Sequence, residues 1–284
     1  MERMKELIRL LNEAAKAYYQ ESREIMPNYE YDRLYDELEE LERKTGITLS
    51  NSPTIRVGYE VLSDLPKEKH PKKMLSLDKT KDVGALAAWL GSQEGMLSWK
   101  LDGLTIVLTY EEGKLAKAVT RGNGEIGEVI TSNARTFENL PLAIDFKGEL
   151  VLRGEAVISY ADFEKINDEI TDEGAKYKNP RNLCSGSVRQ LNNEITAQRH
   201  VQFFAFSLVS ADGVEFKTRN EQFDWLTERG FQVVEHVSVN AKTISDAVSA
   251  FEAKIADNPV PSDGLVLSYN DIEYGRSLGE TAKF

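Results

Sequence analysis

The stretch Leu97-Ser98-Trp99-Lys100-Leu101-Asp102-Gly103-Leu104-Thr105 alternates apolar and polar residues, the pattern of a strand with one face on a core. Leu97, Trp99 and Leu101 then point to one side, and Ser98, Lys100 and Asp102 to the other. Gly103 follows, where backbone can lie close to a ligand. A lysine and an aspartate two apart on a strand, ending at a glycine, make a candidate amine nucleophile. The same pair is also common on solvated strand faces, so the rest of the chain must decide. The strand is expected to run on through Thr105–Tyr110, turn at Glu111-Glu112-Gly113 and return through Lys114–Thr120, a hairpin whose loop holds glycine.

Working outward, 284 residues suffice for one large domain or two with a sizeable core. Hydrophobic residues at 41% and charged residues at 29% are ordinary for a globular protein. No apolar run approaches a membrane span, and Met1-Glu2-Arg3-Met4-Lys5 lacks the apolar core of a signal peptide, so the cytoplasm is expected. The single cysteine, Cys184, excludes an internal disulfide and a multi-cysteine metal site. His70, His200 and His236 are too scattered for a triad or a metal centre. The net charge of −12 argues against this chain gripping nucleic acid unaided; a local basic strip or further domains would be needed.

Helical spacing of Met4, Leu7, Ile8, Leu11 and Ala14 predicts a first helix. A second carries Leu34, Tyr35, Leu38 and Leu41, capped by Asn28 after the break at Pro27 and ended by Gly46. We place a domain boundary near residue 66, giving a helical domain over 1–66 and a catalytic domain over 67–284. Within the latter we expect a short buried strand at Met74–Leu77, a helix over about Asp82–Leu90, and a glycine-rich segment Arg121–Glu128. An alternating strand follows at Glu149–Val157, with Val151, Arg153 and Glu155 on one face. Lys178–Asn182 reads as a turn, Val201–Val209 as a strand, and Gln222–Arg229 and Ser245–Ile255 as helices. Ser262–Tyr269 reads as a strand entered through an Asp-Gly turn. Without βαβ regularity, the fold class is α+β with mainly antiparallel sheets.

Taken in order, these pieces resemble the adenylation region of bacterial NAD-dependent DNA ligases over essentially the whole chain. Lys100-Leu101-Asp102-Gly103 resembles the nucleotidyltransferase lysine motif, and Thr120-Arg121-Gly122-Asn123-Gly124 with Gly127-Glu128 the next one. Arg153-Gly154-Glu155, Asn179-Pro180-Arg181-Asn182 with Gly186–Leu191, and Asp263-Gly264-Leu265-Val266 follow in the family's order. Ser52-Pro53-Thr54, Arg56-Val57-Gly58 and Ser76-Leu77 belong to the same pattern. The chain departs from the family at Ser98, where a glutamate is usual, and at Ser268, where a lysine is usual. Asn123 and Asn28 replace acidic residues, and Tyr19 replaces a histidine. The chain stops at Phe284, where a further lysine motif is expected, and is read as a truncated piece of a ligase. The family's oligonucleotide-binding barrel, zinc module, helix-hairpin-helix units and terminal interaction domain would lie downstream, with zinc only there.

The resemblance implies that Lys100 attacks the adenylyl phosphorus of NAD, with Asp102 orienting the lysine or a metal-bound water. It implies NAD contacts at Tyr18, Tyr31, Asp32, Ser76, Leu77, Ser98, Arg121, Glu155, Val266 and Ser268, and phosphate contacts to nicked DNA at Arg181 and Arg189. It also implies Mg²⁺ or Mn²⁺, nicked double-stranded DNA as partner of the full-length enzyme, no membrane, and a monomer. The chemical difficulty is protonation: a lysine of pKa about 10.4 is a free amine in only ~1 molecule in 1,000 near pH 7.4, a handicap of about 4 kcal/mol. Two alternatives remain: an NAD-binding paralogue or fragment without complete chemistry, and an ATP-dependent ligase or RNA-capping type enzyme, against which the N-terminal hairpin argues.

Overall fold

The protein is described by a computed structural model covering residues 1–21, 23, 25–55, 62, 64–75 and 77–279, with only the backbone of residues 18–21 and 28. Helices α1 (Glu2–Glu21) and α2 (Asn28–Thr45) pack as the expected hairpin. Met4, Leu7, Ile8 and Leu11 of α1 meet Leu34 and Leu38 of α2, and Ile47 and Leu49 close that core. Gly46 ends α2 at a φ of 68°, its N–H reaching the Glu42 carbonyl at 2.9 Å. The cap is not Asn28, which is already helical. Pro27 is the extended residue before the helix, and its carbonyl accepts the first helical N–H groups, those of Glu30 and Tyr31.

A large and a small antiparallel sheet, a two-stranded ribbon and short helices make up the rest of the described chain. Strands β1 (Thr48–Leu49) and β2 (Lys67–Lys69) precede helix α3 (Val83–Leu90), which Asp82 caps through the Gly84 N–H at 2.8 Å. Then come β3 (Gly95–Leu101), β4 (Leu104–Glu111), β5 (Lys114–Thr120) and β6 (Ile126–Glu128). After α4 (Thr131–Ala134) follow β7 (Pro141–Ala143), β8 (Leu150–Val157), α5 (Tyr160–Asp168), α6 (Pro180–Val188) and α7 (Asn193–Ala197). The chain continues through β9 (Gln202–Ala211), α8 (Arg219–Glu228), β10 (His236–Val239), α9 (Ile244–Ala253), β11 (Ser262–Tyr269) and α10 (Ile272–Ser277). The large sheet has the order β1-β7-β5-β4-β8-β9, the small one β10-β3-β11, and β2 pairs with β6.

Alternation sets the two cores. Ile106, Leu108 and Tyr110 of β4, Leu150 and Leu152 of β8, and Phe203 and Ala205 of β9 are buried together with Leu183 and Val188 of α6 and Leu226 of α8. Leu97 and Trp99 of β3 are buried with Leu90 and Phe251 from α3 and α9, and the Trp99 and Phe251 rings meet edge to face at 4.8 Å. The α+β class and the alternation of β8 are as the sequence led us to expect, whereas β3 is buried on both sides from Gly95 to Trp99 and only Lys100 and Leu101 are partly open.

Four expectations are corrected. The strand carrying Lys100 does not run on into Tyr110: it breaks at Asp102-Gly103, and β3 and β4 belong to different sheets. Asp102 N–H is held by Pro261 O at 2.8 Å on the small-sheet side. Gly103 crosses so close to β8 that a Cβ there would lie 1.9 Å from Ala156 O, which only glycine permits. Asp263-Gly264 is not a turn but lies inside β11, where the register shifts and Gly264 has a φ of 152°. Met74 and Leu75 are not strand; the Met74 N–H is bonded to Gly124 O. Lys178–Asn182 turns out to open helix α6, with Asn179 as the cap to the Asn182 N–H at 2.8 Å and Pro180 as the first helical residue.

Candidate functional site

The site grows from the point where the chain changes sheets. Lys100 is the penultimate residue of β3 and is paired with Gly264 of β11, which puts Asp263 beside it. The Lys100 Nζ donates to Asp263 Oδ1 at 2.6 Å, and both side chains stay about two-fifths exposed, at 39% and 43%. Asp102, just past β3, accepts from Arg181 Nη1 of α6 at 3.2 Å. Glu155 of β8 accepts the Gly103 N–H at 3.1 Å and the Thr105 hydroxyl at 2.8 Å. Burial pushes its carboxyl up to about 7, against those two bonds and the positive charges of Arg181 and Lys100. One lysine, one arginine and three carboxyl groups from β3, β8, β11 and α6 therefore share one seam.

Beside the seam, Arg121 leaves β5 with its N–H on Thr105 O at 2.9 Å, while its guanidinium extends to Met74 O at 3.5 Å. The turn after it closes on Asn123, whose Oδ1 accepts the N–H groups of Glu125 and Ile126 at 2.9 and 2.8 Å. Ser98 faces Val266 across the β3–β11 ladder, and Ser268 faces Met96; both serines are buried. By strand period these positions share the side of β3 that carries Lys100.

Tyr31 and Asp32 are on α2, Tyr31 stacked on Tyr35 at 6.3 Å and Asp32 exposed. Tyr18 is helical backbone in α1; Leu77 lies in irregular chain; Ser76 and Arg56-Val57-Gly58 fall outside the described residues. Arg189 binds Glu128 with both Nε and Nη2, the latter at 2.9 Å from Oε1, and draws that carboxyl below its usual range. Cys184 is buried in α6 with its Sγ on Ala156 O at 3.1 Å, and burial pushes the thiol above its usual range, as befits a packed thiol.

No group of three His, Cys, Asp or Glu among the described residues could hold a metal, and Asp102 and Asp263 are each already paired with a cation. The donor set does not fit a protein-built metal site, so no step below is routed through one. No helix among the described residues is long and apolar enough to cross a membrane.

Residues 62–284 match the NAD-dependent DNA ligase adenylation domain, and residues 1–58 match the DNA ligase-like, N-terminal NAD+-binding domain. The chain belongs to the NAD-dependent DNA ligase family. The DNA ligase of Ruminiclostridium cellulolyticum is 64% identical over 282 residues, covering 99% of this chain and 43% of that protein. The DNA ligase of Lachnoclostridium phytofermentans is 63% identical over 284 residues, covering 100% and 44%. This chain thus spans under half the length of the curated ligases it matches. An archaeal ATP-dependent RNA ligase structure is similar at 14% identity and a TM-score of 0.44, over 72% of this chain and 46% of that one, too distant to bear on the chemistry.

This adenylation domain also holds two groups that sequence reasoning passed over. Thr105 donates to Glu155, a contact that follows from their cross-strand pairing but needs the register to be known. His70 is buried with Nε2 at 3.1 Å from the carbonyls of both Thr120 and Arg121. Both partners are acceptors, so Nε2 carries the proton, and the ring clamps the base of the Arg121 turn.

Proposed function

We propose that this chain performs the first step of ligation. The Lys100 amine, having lost its extra proton to solvent, attacks the adenylyl phosphorus of NAD; an N–P bond forms and a second amine proton leaves to water. The P–O bond of the pyrophosphate breaks, and nicotinamide mononucleotide departs with the electron pair. AMP then passes to the 5′-phosphate of nicked DNA, and the longer protein seals the nick. The observation that carries this reading is the convergence of Lys100, Asp263, Asp102, Arg181 and Glu155 at the seam between the two sheets.

In this reading Asp263 aligns Nζ, and the incoming phosphate displaces it as the ion pair opens. Asp102, steadied by Arg181, orients the lysine. Glu155 accepts from a ribose hydroxyl, and Arg121 braces the nicotinamide-side ribose and phosphate. Val266, Ser98 and Ser268 line the base side, with Leu77 at its edge; an NAD contact by Ser76 rests on the family resemblance alone. Tyr18 and Tyr31 flank the nicotinamide ring, and Asp32 pairs with its ribose or charge, so that 1–66 forms the nicotinamide mononucleotide domain and 67–284 the adenylation domain. Arg181 and Arg189 turn to DNA phosphates after AMP loading; their side chains are 60% and 51% exposed, which supports that exchange. Mg²⁺ or Mn²⁺ would be held mainly by phosphate and water oxygens. The enzyme would act in the bacterial cytoplasm as a monomer.

Intact-mass measurement tests this. NAD with Mg²⁺ should add one adenylyl group to the protein and none to Lys100→Ala. Labelling by ATP in place of NAD refutes the donor assignment, and NAD binding by calorimetry without any mass gain refutes the transfer step.

A further inference from the structure

Thr105 has no role in the reaction as set out so far, yet its hydroxyl donates to Glu155 Oε2 at 2.8 Å. Thr105 and Glu155 are direct partners across β4 and β8, so their side chains rise from the same face of the large sheet. The Gly103 N–H donates to the other oxygen, Oε1, at 3.1 Å. Each oxygen of the carboxylate thus receives a donor from the short stretch running from the end of β3 into the start of β4. The Thr105 carbonyl meanwhile takes the Arg121 N–H at 2.9 Å, so one residue fastens both the glutamate strand and the arginine turn.

We infer that Thr105 is a positioning residue for adenylyl transfer: its hydroxyl, with the Gly103 amide, holds the Glu155 carboxylate as an aligned hydrogen-bond acceptor for the substrate nucleotide. The inference rests on the adenylation reading for its substrate but not for its geometry. A threonine serving the sheet alone would be replaceable by valine, which has the same shape and the same strand preference. A threonine serving Glu155 would not. The groups facing the carboxyl are Lys100 from β3 and Arg181 and Cys184 from α6, with Gly103 and Thr105 as the hydrogen-bond donors. Of the influences that favour its ionised form, the Thr105 hydroxyl is the largest. Its removal therefore moves the titration of Glu155 upward.

The test uses the full 284-residue chain. The Glu155 carboxyl is titrated by carbon-13 NMR in the wild type, Thr105→Val and Thr105→Ser, and NAD-dependent labelling is followed against pH. Thr105→Val should shift the Glu155 titration up by about one pH unit, the scale of a lost hydrogen bond to a charged group. The KM for NAD should rise on the acid side by a matching shift, with kcat changed less, and Thr105→Ser should restore both. Thr105→Ala carries the same expectation if the valine variant folds poorly. A Glu155 titration in Thr105→Val that superimposes on the wild type overturns the inference, whatever labelling shows. Absence of labelling in the wild type instead refutes the adenylation reading, and the titration then decides by itself whether Thr105 holds the carboxylate.

Discussion

Replacing Glu155 by glutamine should change how stability depends on pH, and the structure fixes the sign. Burial raises the folded carboxyl from 4.5 to about 7, net of the Thr105 and Gly103 bonds and the nearby positive charges. At a pH below the unfolded value both states hold the proton, and nothing is gained or lost. Between 4.5 and about 7 the folded protein keeps a proton that the unfolded chain has released, so stability falls as pH rises. Above about 7 the full penalty of an ionised, partly buried carboxylate is present. A shift of about 2.5 units corresponds to about 3 kcal/mol, an upper bound because Glu155 is not sealed from water. Glutamine keeps one oxygen for the Gly103 N–H, turns its NH2 to the Thr105 hydroxyl, which then accepts, and does not titrate. Urea unfolding of both proteins between about pH 5 and about pH 8 should show Glu155→Gln gaining on the wild type as pH rises, by up to about 3 kcal/mol. Curves that stay parallel, or a wild type that gains on the variant, would refute the claim that this carboxyl is destabilised by burial.

Gly103→Ala should destabilise the protein by more than about 3 kcal/mol in urea, because its Cβ would meet Ala156 O at 1.9 Å and the Val157 side chain at 2.9 Å, and relief requires the two sheets to part. Near-native stability would show that the sheets do not meet at this glycine. Asp263→Asn should leave stability within about 1 kcal/mol, since the ion pair with Lys100 is well exposed, yet slow NAD-dependent labelling by roughly tenfold or more through loss of alignment. An unchanged single-turnover rate would remove Asp263 from the groups that position Nζ.

Local pattern was enough for the α1–α2 hairpin and for the alternation of β8, because periods of 3.6 and 2 are written into neighbouring residues. The ordered motifs likewise announced a ligase-type adenylation region from the chain alone. Tertiary structure decided what no local period encodes. That β3 and β4 part company at Gly103 depends on Ala156, more than fifty positions on, and Lys100 meets Asp263 across 163 positions through the β3–β11 ladder. The grip of Thr105 on Glu155 depends on the register of β4 against β8, which a slip of one residue would turn to the other face. Alternation tells a residue which side of its own strand it occupies, whereas partnership is set by which strands pair and in what register, and those are properties of the folded whole.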